Sequence, residues 1–179
     1  MTPELALEQR AHRLRGERLR AVFYQRGREL EGGMDSVGHL VFLDFESGTR
    51  VAIGCTDELR YKHGFGISVR PQRVIDTAFG EAVDMGDRPR WKALFGRSVT
   101  STSIHWDGIK ERLRPTLAIG VAIHADHLSR LDYPQTLELD LEGQSVFFAA
   151  ARPSGKGAVP FVNELLVFFS AETREALGL

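Results

Sequence analysis

His124-Ala-Asp-His127 sets two imidazoles three residues apart, with a carboxylate between them. On a helix that spacing puts both rings on one face, so His124, Asp126 and His127 form a candidate metal site. The i, i+4 spacing and the catalytic Glu of zinc proteases are missing. The segment also begins where a strand is predicted to end, and Asp126 can instead cap a short turn. Solvated turn histidines are the competing expectation, and no cofactor is expected.

The single cysteine, Cys55, follows a strand and a Gly. As a nucleophile it needs a base or a helix N-terminus to lower its pKa, with His39 and His63 as the candidates in its half of the chain. A lone Cys at a strand end is more often a small packed hydrophobe. Asp44 with Glu46, and Asp140 with Glu142, are acidic pairs at i, i+2, and in a strand each pair points to one face. That could suit a cation or acid–base work. Flanking hairpin turns, these carboxylates are expected in water, where they could meet a basic partner.

Tyr61-Lys62-His63-Gly64-Phe65-Gly66 combines aromatics, charge and flexible glycines, which suits protein recognition through large aromatic contacts. Tyr61, Lys62, His63 and Phe65 are therefore candidate interaction residues. Trp106, in His105-Trp106-Asp107 at a strand end, joins them as an anchor, with burial in the core as its alternative. Arg152-Pro-Ser-Gly-Lys-Gly157 lacks the spacing of a phosphate loop and is expected to connect two strands.

The elements that must position these groups follow from punctuation and period. Thr2 and Pro3 start a helix that stops at Gly16; Pro89 starts a second that stops at Gly96, with Trp91, Leu94 and Phe95 on one apolar face. Ser170 caps a third. Between them lie about nine strands, including 39–46, 50–55, 65–69, 99–106, 117–123, 137–141, 145–150 and 162–169. Turns fall at Glu46-Ser47-Gly48-Thr49 and Glu142-Gly143-Gln144. The fold class is α+β, mostly antiparallel β, with short flanking helices. A curved sheet or partly closed barrel is expected first, and a sandwich second.

The chain also repeats itself weakly. Leu14-Arg-Gly-Glu-Arg-Leu19 resembles Leu94-Phe-Gly-Arg-Ser-Val99, and Val41 to Glu46 resembles Leu137 to Glu142. An internal duplication is expected, with units of about 3–80 and 87–179 inside one domain spanning 1–179.

Length agrees: 179 residues suit one domain, long enough to bury a core without disulfides or metals. No apolar run approaches the ~20 residues of a membrane helix, and the Arg-rich start is no secretory signal. Cys55 alone speaks for a reducing cytoplasm. The net charge of −1 conceals an alternation: +3 over 1–30, −4 over 31–60, +4 over 61–120 and −4 over 121–179. A pI near 6.6 disfavours nucleic acid.

Together these features point to a non-catalytic protein-binding domain, such as a bacterial immunity-type inhibitor of a partner protein. The alternative is a small-molecule- or metal-binding protein, or an enzyme, with its site in a β-barrel mouth near His39, His63 or His105. A homodimer is a third expectation.

Overall fold

The computed structural model describes residues 3–30, 32–56, 66–75, 80–110, 130–154 and 157–179. Helix α1 (Pro3–His12) leads into β1 (Leu19–Gln25), β2 (Gly27–Leu30), β3 (Met34–Val37), β4 (Leu40–Phe45), β5 (Arg50–Thr56), β6 (Gly66–Pro71) and β7 (Ala82–Asp84). The one-turn helix α2 (Pro89–Lys92) then leads into β8 (Val99–Lys110), β9 (Arg130–Leu141), β10 (Gln144–Ser154), β11 (Gly157–Phe168) and α3 (Ala171–Leu177). One sheet has the order β6-β5-β4-β1-β7 and the other β2-β3-β11-β10-β9-β8. Every ladder is antiparallel.

The mostly antiparallel α+β class is as expected. The two sheets pack face to face and do not close into a barrel, so there is no barrel mouth to hold a site. The expected strand at 117–123 lies outside the described residues. The short strands β2, β3 and β7 were not foreseen. Gly27-Arg28-Glu29-Leu30 is polar and shows no alternation, and pairing with β3, itself paired with β11, makes it a strand.

Period two builds the core. Val22, Tyr24, Val41, Leu43, Phe45, Val51, Ile53, Ile67 and Val69 of the first sheet meet Leu137, Leu139, Leu141, Val146, Phe148, Leu165 and Val167 of the second. Leu7, Ala11 and Leu14 from α1 and its exit turn close one end, and Trp91 and Leu94 of the α2 region join the same core. The aromatic stretches divide by parity: Phe148 and Val167 face inward. Phe147 and Phe168 stack 5.1 Å apart on the outer face, under Leu177 and Leu179 at the C-terminus.

Within the sheets, the run β6-β5-β4-β1 of the first has the same direction of strand order as β11-β10-β9-β8 of the second. Gly16 and Gly96 end the turns at φ +83° and +79°, where any side chain would be strained. The two linkers cross at a bridge between Arg18 and Ser98. Around it, Gly16 N–H donates to Val99 O (2.8 Å) and Gly96 N–H to Leu19 O (2.7 Å). Val99 N–H donates to Glu17 O (2.9 Å) and Leu19 N–H to Arg97 O (3.0 Å). A bulge follows at the same place in both, between Leu19/Ala21 and between Val99/Ser101.

Candidate functional site

Tyr61, Lys62, His63 and Phe65 lie outside the described residues, as do His124, Asp126 and His127. Trp106 is half-buried on β8, opposite Pro134, just past a bulge that shifts the register. The bulge explains why alternation alone could not orient it. Among the described residues, no three His, Cys, Asp or Glu side chains converge to hold a metal ion.

The remaining chemistry-bearing groups are held by neighbours. Cys55 donates its S–H to the carbonyl of Glu164 (3.3 Å), and burial pushes its thiol up to about 12. Burial thus keeps the group in its thiol form near neutral pH. Iodoacetamide at pH 8 is expected to alkylate the folded chain on the order of a hundredfold more slowly than the urea-unfolded chain. Equal rates, read by mass spectrometry, would refute that burial.

Of the two acidic pairs, only Asp44 departs from the expectation of a place in water. Asp44 does not sit in water but is 3% exposed. It accepts hydrogen bonds from Arg50 Nη2 (2.6 Å), Arg50 Nε and Arg20 Nη2 (3.2 Å). These arginines, Arg50 first, hold its carboxyl below the ordinary range despite desolvation. Asp140, at the corresponding bulge, accepts from Thr100 Oγ1 and from Gly143 N–H (3.0 Å). Glu142 accepts from Ser98 N–H (3.0 Å), and Glu46 is exposed.

Two polar constellations were not visible in the sequence. In the first, Trp91 Nε1–H donates to Tyr24 Oη (2.7 Å), and Tyr24 O–H donates to Asp35 Oδ2 (2.9 Å). This chain joins α2, the first sheet and the β2–β3 hairpin. Burial raises the Tyr24 pKa, with the Asp35 charge adding to it, so the phenol stays protonated. Burial likewise raises the Asp35 pKa, against the hydrogen bond from Tyr24. The cavity beside it, about 20 Å³, has room for one water.

The second constellation lies on the outer face of the second sheet. His105 Nε2 stands 2.8 Å from Glu138 Oε2, and Ser145 Oγ–H donates to Glu138 Oε1 (2.8 Å). Arg174 Nη1 lies 3.0 Å from His105 Nε2 and 3.2 Å from Nδ1, with its guanidinium over the Phe147 ring. Serine, glutamate and histidine are here in the wrong order for nucleophilic catalysis. The carboxylate stands between hydroxyl and imidazole, so no ring nitrogen can take the serine proton. Only the register of β8, β9 and β10 brings these residues together, and α3 supplies the fourth.

Ser145 also lines an open cleft of about 410 Å³ between α2, the β9–β10 turn and the start of α3. Its apolar floor is Ala93, Leu94 and Phe169, and Arg90 lies 5.7 Å over the Phe169 ring. Glu172 stands on its rim. Among the described residues, neither His39 nor His105 lines it. No known protein family, curated protein or solved structure matches this chain.

Proposed function

We propose that the chain is a non-catalytic domain that binds another protein and acts as an inhibitor does, by covering its partner's surface. One observation carries this: among the described residues, the groups singled out above for their chemistry are each committed to an intramolecular partner. Cys55 is tied to Glu164, Tyr24 sits between Trp91 and Asp35, and Asp44 sits between two arginines. Ser145 and His105 share Glu138. Arg13, Arg15 and Arg18, in contrast, stand exposed at the corner between α1 and β1. Such a corner suits charge complementarity, with steering and register supplied by the charges. A protonated, partly buried thiol fits work in a reducing cytoplasm. The immunity-type inhibitor remains the form of this function we favour.

A second reading is favoured by the cleft. A guanidinium over an aromatic ring beside polar rim groups could hold a small ligand. Native mass spectrometry of the tagged chain purified from its own cells separates the two. The expected species is a stoichiometric complex with one other polypeptide. A monomer retaining a small molecule after desalting would overturn the proposal in favour of the cleft, and a homodimer alone would overturn it in favour of self-association.

A further inference from the structure

We propose that the cleft beside α2 is an anchor pocket that takes one large apolar side chain of a partner protein, while Arg90 holds a carboxylate next to it in the partner's chain. The inference rests on the protein-binding reading and names where the partner docks and by what chemistry.

The floor of the cleft is fixed before anything binds. Leu94 is 2% exposed, and the Phe169 ring stands edge-on to the buried Trp91 (5.1 Å, 78°). Ala93, just past α2, is exposed and carries only a methyl group, so the space over the floor stays open. Its volume of about 410 Å³ suits one large side chain and the backbone beside it. The mouth decides between a free molecule and a side chain. Small ligands usually have about 70% or more of their surface covered, which an open cleft does not supply. A side chain on a protein brings its own cover, and such filled, water-excluded pockets are where interfaces concentrate their binding energy.

The rim sets the charge of the occupant. Arg90 is exposed and, among the described residues, enters no ion pair. It is held nonetheless. One side of the guanidinium lies 5.7 Å over the Phe169 ring, and the other lies against the β2–β3 turn at Gly33. A Cβ at position 33 would meet Arg90 Nη2 at 3.2 Å, and φ there is +81°, so glycine is favoured on both counts. A guanidinium fixed in this way loses little freedom when it takes a carboxylate in two parallel hydrogen bonds. The carboxylates of its own chain are engaged elsewhere. The charge of Arg90 reaches Asp35, but Asp35 accepts from Tyr24 O–H (2.9 Å). Glu172 is bound by its own backbone N–H and by the Ser170 hydroxyl, which hold its carboxyl below the ordinary range. Among the described residues, that leaves Arg90 as the charged group of the lining without a partner of opposite sign. An occupant that satisfies both floor and rim is apolar at one residue and acidic at the next or next but one.

A random-peptide library displayed on phage and panned on the intact chain tests the pocket. Selected peptides are expected to share a Phe, Leu, Met or Trp with an Asp or Glu within two positions of it. Ala93→Trp fills the cleft from an exposed position and should weaken those peptides by roughly thirtyfold or more. Arg90→Gln should weaken them about tenfold and, when panned again, remove the preference for an acid. An unchanged thermal midpoint in both variants shows that the fold is intact. The native complex with the partner should be lost in Ala93→Trp. Failure to select any peptide, selection without acids, or binding that Ala93→Trp leaves unchanged would overturn the pocket. Retention of 2-naphthoate by the unmodified chain but not by Ala93→Trp, with no peptide selected, would overturn it in favour of a free small acid. A native complex that survives Ala93→Trp would overturn the pocket and leave the protein-binding reading standing; a chain that forms no such complex would remove both.

Discussion

Trp91→Ala is expected to destabilise the chain by about 3–5 kcal/mol, the range of large aromatic truncations in cores. The residue is 1% exposed and, among the described residues, its ring meets three others. It stands edge-on to Tyr24 (6.2 Å, 81°) and to Phe169 (5.1 Å, 78°), and stacks on Phe148 (6.3 Å, 28°). These neighbours come from the first sheet, the start of the C-terminal helix region and the second sheet. One side chain on a single turn of helix therefore ties three parts of the fold. Alanine leaves a cavity that rigid strands on both sides cannot close. It also strips the Tyr24 oxygen of its donor while leaving the phenol bonded to Asp35. Trp91→Phe separates these terms. It keeps most of the ring volume and loses the indole N–H, so a cost of about 1–2 kcal/mol is expected. Urea unfolding with an unchanged m-value measures both. A cost below about 1.5 kcal/mol for the alanine variant would mean that Trp91 is not the anchor its contacts describe.

How far the structure can be read from the sequence depends on whether a feature needs register. Trp91 is legible as a core anchor because Leu94 and Phe95 share its helical face. The turns at Gly48 and Gly143 are legible because positive φ favours glycine, and they fall where expected. The correspondence of Leu14, Gly16 and Leu19 with Leu94, Gly96 and Val99 is visible as an offset of 80 and recurs as paired hydrogen bonds across the Arg18–Ser98 bridge. Parity is harder. Phe147 and Phe148 are adjacent and equally apolar, yet one faces the sheet–sheet core and the other faces α3. Hardest are the polar constellations. His105 and Glu138 are 33 residues apart, and Arg174 is 69 from His105, so nothing local links them. Tyr24 and Asp35 meet only because the β2–β3 hairpin joins the opposite sheet from β1. Local pattern carries element type; contact between elements needs a register that no single segment contains.

Asp44 and Asp140 make that distinction measurable. They hold matching positions, each opposite the residue that follows a bulge, Ala21 in one case and Ser101 in the other. Sequence treats them alike, but their surroundings do not. The bulge residue beside Asp44 is Arg20, and Arg50 approaches from the next strand, so a carboxylate buried in the sheet is met by two guanidiniums. The bulge residue beside Asp140 is Thr100, and the site is open to water. Asp44→Ala is expected to cost about 2–3 kcal/mol. Removing one partner from a buried ion pair costs more, but here the arginines keep some solvent, which lowers the penalty. Asp140→Ala is expected to cost less than about 1 kcal/mol, since a surface hydroxyl bond and a turn amide can be replaced by water. The pH dependence has a definite sign. Arg50 and Arg20 depress the folded-state pKa of Asp44 below its unfolded value. Its contribution is therefore complete above about pH 4 and is lost as pH falls through the lower, folded value. The stability gap between the unmodified chain and Asp44→Asn should be constant from pH 7 to 5 and narrow below about 4. Equal losses for the two alanine variants, or a gap for Asp44→Asn that widens on acidification, would show that the arginines do not hold the Asp44 carboxylate as the geometry requires.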